Sequence, residues 1–83
     1  MPTAKSPEHV VLGLALRQLR MEQGVSQEEL GYRSGLHRNY VGACERGEIN
    51  LSFGVLLRLV NALEVSFSEL AHRYDGGRTA VDR

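Results

Sequence analysis

Four adjacent side chains, His37, Arg38, Asn39 and Tyr40, can all hydrogen-bond. Two of them have shapes that match base edges: the arginine fork fits the two acceptors of guanine, and the asparagine amide fits adenine. On an ordinary helix face the same run would only meet water. Further along, Arg46, Asn50 and Ser52 offer a cation, an amide and a hydroxyl at short spacing. Such groups hold backbone phosphates and position a protein without reading sequence. Gln27 opens another run, where a helix start favours an anion and the amide adds a donor. His37 can meet a phosphate or simply cap a helix. Tyr40 can reach a phosphate or base with its hydroxyl, or pack as a half-buried aromatic. Arg33 is as much at home in solvent as on a ligand. No nucleophile–base pairing and no phosphate-cradling loop is legible, so the reading is not an enzyme. His9, His37, His72 and Cys44 lack metal-ligand spacing, and neither a metal nor a cofactor is expected.

Contacts of this kind need elements that hold them, and the chain marks those elements clearly. Gly24, Gly35, Gly47 and Gly76 each follow a helix-compatible run, where glycine accepts the left-handed conformation of a helix stop. Starts are marked as well. Pro7 follows Ser6 where a first helical residue tolerates proline. The runs "SQEE" (Ser26, Glu29) and "SFSE" (Ser66, Glu69) read as capping boxes, and Ser52 can cap a further start. These marks predict five helices, over 7–23, 26–34, 37–46, 52–63 and 66–74. Leu12, Ala15, Leu16 and Leu19 share one apolar face, and Phe53, Leu56, Leu57, Val60 and Leu63 another. No stretch alternates with the period of a strand. The predicted fold class is all-α: a compact five-helix domain over 7–75, with a flexible N-terminus at 1–6 and a flexible tail at 76–83.

The chain has 83 residues, with ten basic and ten acidic side chains. That is one small domain, with stability of about 5 to 10 kcal/mol at best. Zero net charge does not announce a nucleic-acid partner, so any such partner must be met by a local patch. One cysteine excludes an internal disulfide and fits a reducing cytosol. No apolar run approaches the ~20 residues of a membrane span, and "MPTAKSPEH" lacks the apolar core of a signal peptide. No small-molecule ligand is evident, and there is no internal repeat.

The second and third predicted helices are short and joined at Gly35, the plan of a helix-turn-helix, which offers its second helix to a major groove. Gly31 is the small residue where the two helices cross. Leu30, Leu36, Val41 and Cys44 anchor them. His37, Arg38, Asn39 and Tyr40 then stand at the end that enters the groove.

The run from Gln27 to Arg46 resembles the helix-turn-helix of the phage-repressor (Cro/C1, or XRE) family. The residues Leu36, Arg38, Tyr40, Val41, Glu45, Arg46, Gly47, Asn50, Leu51 and Ser52 also resemble those of restriction–modification controller proteins, which are short, single-domain, dimeric regulators. The resemblance implies a lambda-repressor-like fold and base contacts from Arg38 and Asn39, with Tyr40 beside them. It implies phosphate contacts from Gln27, His37, Arg46, Asn50 and Ser52. It also implies an ion pair between Arg20 and Glu45 that pins the third helix, so that Glu45 is a strut. The sequence departs from the pattern at Gly31, usually alanine, at Gly42, usually polar, and at Cys44, usually a larger aliphatic. Each glycine costs ~1 kcal/mol in a helix interior.

With Glu45 engaged by Arg20, Glu29 by its capping box, and Glu28 at a helix start where it favours the dipole, Arg38 and Arg46 remain toward the DNA side, with Arg33 a further candidate. A neutral sum can hide a basic face. One helix in one groove meets only a few base pairs, so specific affinity calls for two half-sites and a homodimer. Relatives dimerise through the region of the fourth and fifth helices, which makes Val55, Leu59, Val65 and Phe67 interface candidates. Simple core packing is the other reading of those residues. The expected function is a sequence-specific, homodimeric regulator on a double-stranded DNA operator, in a prokaryotic or phage cytoplasm. The alternative is a protein-interaction module of the same fold, antitoxin-like or adaptor.

Overall fold

The computed structural model describes residues 6–81, and every regular element in that span is helical. The helices are α1 (Pro7–Glu22), α2 (Gln27–Ser34), α3 (Arg38–Glu45), α4 (Phe53–Ala62) and α5 (Phe67–Val81). Serine starts them as expected: the hydroxyls of Ser6, Ser26, Ser52 and Ser66 accept from the amides of His9, Glu29, Val55 and Glu69. The glutamate half of the two expected capping boxes takes another form. The carboxylates of Glu29 and Glu69 accept from Arg33 at 2.9 Å and from Arg73 at 2.8 Å, each one turn further along its own helix, where opposite charges meet.

Three of the four expected glycine stops are left-handed: Gly24, Gly35 and Gly47. The fourth is not Gly76. α5 runs through Gly76 and Gly77 to Val81, so most of the expected tail is helical. The remaining left-handed residue among those described is Glu64, with φ 57, where α4 turns back to α5. Its amide donates to Asn61 and the next amide, Val65, donates to Val60. The two bonds satisfy carbonyls at the end of α4, here with glutamate in the place glycine usually takes. The expected flexible N-terminus lies almost wholly outside the described residues.

α1 packs on α3 and α5, α2 on α3 and α4, and α4 on α5. Leu16, Leu30, Val41, Leu59, Val60, Leu63 and Leu70 fill the space between them. The expected register of α4 needs correction. Leu59 is 1% exposed and belongs to the core, whereas Phe53 is 61% exposed. Leu56, Leu59, Val60 and Leu63 follow the three–four spacing of one buried face. Phe53 lies in the first turn, beyond the edge of that face. Its ring stands edge-on to Phe67, centroids 5.6 Å apart.

Two glycines set how closely the helices approach. A Cβ on Gly31 would lie 2.5 Å from the Leu36 carbonyl oxygen, so the α2–α3 crossing leaves no room there for alanine without movement. Gly13, which the apolar pattern did not single out, backs α1 against the end of α3. A Cβ there would meet the carbonyls of Glu45 and Cys44, the latter at 2.5 Å. Gly13→Ala gains ~1 kcal/mol of helix propensity but forces backbone apart, a strain of about 1 to 3 kcal/mol. The expected net result is a lower melting temperature, read by circular dichroism. A higher one would show that α1 and α3 can separate without cost.

Candidate nucleic-acid interface

α3 is placed by what surrounds its two ends. At its start, His37 Nδ1 accepts from the Asn39 amide at 3.0 Å, so His37 is the helix cap. Before it, the turn at Gly35 is held from α4: Arg58 donates to the carbonyls of Ser34 at 3.0 Å and Gly35 at 3.2 Å. Sequence reasoning passed over Arg58, because its role depends on which helix α4 lies against. At the far end, Arg20 donates to both oxygens of Glu45, at 2.6 and 3.0 Å. The same guanidinium donates to the Val25 carbonyl at 2.8 Å, and Gln27 donates to Glu45 at 3.1 Å. The side chains of Arg20 and Glu45 are 12% and 3% exposed. Such a pair is tolerated at that depth only when its donors and acceptors are matched, and no buried side-chain polar atom among the described residues lacks a partner.

With both ends fixed, Arg38 and Asn39 stand exposed on the first turn of α3. Arg38 reaches across to α2 and donates to Glu28 at 3.1 Å. Arg46 donates to both oxygens of Glu48, at 3.0 and 3.1 Å. Exposed pairs of this kind are worth about 0 to 1 kcal/mol, so a phosphate or a base edge can displace the carboxylate at little cost. The neutral sum is therefore a set of basic side chains held by replaceable partners. Tyr40 is half-buried, and burial raises its hydroxyl above the ordinary range. Burial also pushes the Cys44 thiol up to about 11, so it stays protonated at neutral pH and acts as a small apolar group. Gly42 leaves space over α3 for the tips of Arg46 and Gln27, which would lie 3.1 and 3.3 Å from a Cβ there.

Of the groups expected to hold backbone, Gln27 and Arg46 line one surface hollow, and Asn50 and Ser52 precede α4. Ser52 caps α4 through its oxygen and keeps its hydroxyl proton to donate. Asn50 is exposed, and its Oδ1 accepts from His9 Nε2 at 3.1 Å. The other ring nitrogen, Nδ1, faces the Ser6 hydroxyl at 2.5 Å. With the Ser6 hydroxyl donating to Nδ1, the Asn50 amide N–H groups are left for an outside acceptor. His9 was missed by sequence reading because it is 41 residues from its partner. Of the four interface candidates, Leu59 is core, Val55 and Val65 are half-buried against the core, and Phe67 is exposed. No helix among the described residues is long and apolar enough to cross a membrane.

A family model described as a helix-turn-helix domain matches residues 11–72. The control protein C.SmaI of Serratia marcescens is 40% identical over 63 residues, covering 76% of this chain and 75% of that protein. The crystal structure of the restriction-modification controller protein C.AhdI from Aeromonas hydrophila superposes with a TM-score of 0.77 at 45% identity, covering 78% of this chain and 98% of that one. A second similar structure is the controller protein C.Esp1396I, a tetramer in complex with its natural 35 base-pair operator. It has a TM-score of 0.83 at 29% identity and covers 88% of this chain and 96% of that one.

Proposed function

The chain belongs to the helix-turn-helix family of the restriction–modification control proteins, and from that membership we propose that it regulates transcription by binding operator DNA as a homodimer. The observation that carries the reading is the placement of Arg38 and Asn39. They are exposed on the first turn of α3, with both ends of that helix fixed by Arg58, His37 and the Arg20–Glu45 pair. Arg38 and Asn39 read base edges. Gln27, Arg46, Asn50 and Ser52 set the register on the backbone. The protein binds and does not catalyse. Its control comes from concentration, through dimerisation and occupancy of the operator.

The dimer face centres on Phe53 and Phe67. The two rings form a continuous apolar surface at 61% and 43% exposure, and Leu56, Leu12, Ala71 and Tyr74 line the groove beside them. Large apolar rings exposed side by side mark an association surface. Phe67→Asp places a charge there without touching the core. It is expected to leave the folded domain intact, to shift sedimentation from dimer to monomer, and to weaken operator binding about a hundredfold through lost bivalency.

A nuclease footprint on the DNA upstream of the protein's own gene tests both parts. The expected pattern is two protected half-sites one helical turn, or a multiple of it, apart, lost in Phe67→Asp. A dimer that survives the substitution would move the interface elsewhere. An unprotected duplex would favour a protein partner for α3.

A further inference from the structure

Of the described arginines, Arg17 alone has no hydrogen-bond or ion-pair partner among the described residues. Arg20, Arg33, Arg38 and Arg46 are held by glutamates. Arg58 is held by carbonyls, Arg73 by Glu22 and Glu69, and Arg78 is also engaged. Arg17 is exposed on α1 and lines a surface hollow together with Val10, Leu14, Arg20, Gln27, Glu45 and Arg46. The hollow lies where α1 meets the start of α2 and the end of α3. Two of its lining residues, Gln27 and Arg46, are those already assigned to the DNA backbone. Its only carboxylate among the described residues, Glu45, has both oxygens taken by Arg20 and one shared with Gln27.

We propose that this hollow seats a phosphodiester of the DNA backbone and that Arg17 is its principal ligand. The proposal rests on the DNA-binding reading above and adds a contact from α1, outside the helix-turn-helix. The chemistry fits. An arginine fork matches two phosphate oxygens. The neighbouring Leu14, 51% exposed, gives the hollow an apolar wall, and a low-dielectric wall strengthens attraction to an anion. Arg20 cannot serve, because its guanidinium is committed to Glu45 and Val25. Arg46 must first leave Glu48. Arg17 has no such partner to give up among the described residues. Because it touches backbone only, it contributes affinity and placement, with no preference among sequences.

The test is a fluorescence-anisotropy titration of the whole chain across a salt series. The probes are the duplex upstream of its own gene and a scrambled duplex of the same length. Arg17→Ala is expected to weaken binding to both duplexes by the same factor, about tenfold. It should lower the salt slope by about 2 for a dimer, one phosphate per subunit, with an unchanged melting temperature. Arg17→Lys, which keeps the charge, should recover most of the slope. Wild-type binding together with unchanged affinity and slope in Arg17→Ala overturns the assignment while leaving the DNA reading in place. Loss confined to the native duplex also overturns it, since that would make Arg17 a base reader. A wild type that binds neither duplex overturns the DNA reading and this contact with it.

Discussion

Glu45→Ala is expected to unfold the domain before it changes any sequence preference. The side chain is 3% exposed and accepts from Arg20 twice and from Gln27 once. Removing it leaves the Arg20 guanidinium buried with only the Val25 carbonyl to accept from it. Breaking a buried pair from one side costs about 3 to 5 kcal/mol, a large share of what a domain of this size holds. The loss should be read as a fall in the urea midpoint at unchanged slope. Glu45→Gln, which keeps one acceptor, should fall less. Replacing Arg20 and Glu45 together by methionine and leucine should recover much of the difference, because no charge is then left unpaired. A Glu45→Ala protein that melts with the wild type would show that α3 is held by its apolar contacts alone.

Arg38→Ala is expected to do the reverse, sparing the fold and removing discrimination. The side chain is 61% exposed and its pair with Glu28 is a surface contact, so stability should move by less than about 1 kcal/mol. A bidentate base contact is worth about 1 to 3 kcal/mol of discrimination, roughly five- to 150-fold per half-site. The native duplex should therefore lose affinity while the scrambled one changes little, in contrast to a backbone contact such as Arg17. Glu28→Gln leaves Arg38 without its charged partner and is expected to change the ratio far less than Arg38→Ala does. A ratio unchanged in Arg38→Ala would assign base reading to another side chain.

The parts of this architecture that depend on near neighbours are legible in the sequence. Serine caps, Gly24, Gly35 and Gly47, and the break between α2 and α3 each require only a few consecutive residues. Errors arise where a distant element decides. Phe53 and Leu59 exchange their expected places because the α4 register is set by α2 and α5, and Leu59 sits between Leu56 and Leu63 on the face they define. Gly13 and Gly31 look like weak points in their helices until the backbone opposite them is known. Gly76 has nothing within 4 Å of its Cβ direction and no left-handed turn, so a residue type typical of stops lies inside a helix. In the candidate site, the exposed turn of α3 is readable from types and spacing. The supports at Arg58 and His9 are not, because their partners lie 24 and 41 residues away. The Arg20–Glu45 pair spans 25 residues. It was expected only through family resemblance, since no local pattern joins the two.

Whether the chain reads DNA sequence is decided by the equilibrium affinity of the wild-type chain for the duplex upstream of its own gene, against a scrambled duplex, measured by fluorescence anisotropy at low and moderate salt. Tight binding to the native duplex alone, weakening as salt rises, is the predicted result for a sequence-reading dimer. Equal and weak binding to both duplexes would contradict it and turn the search toward a protein that meets α3.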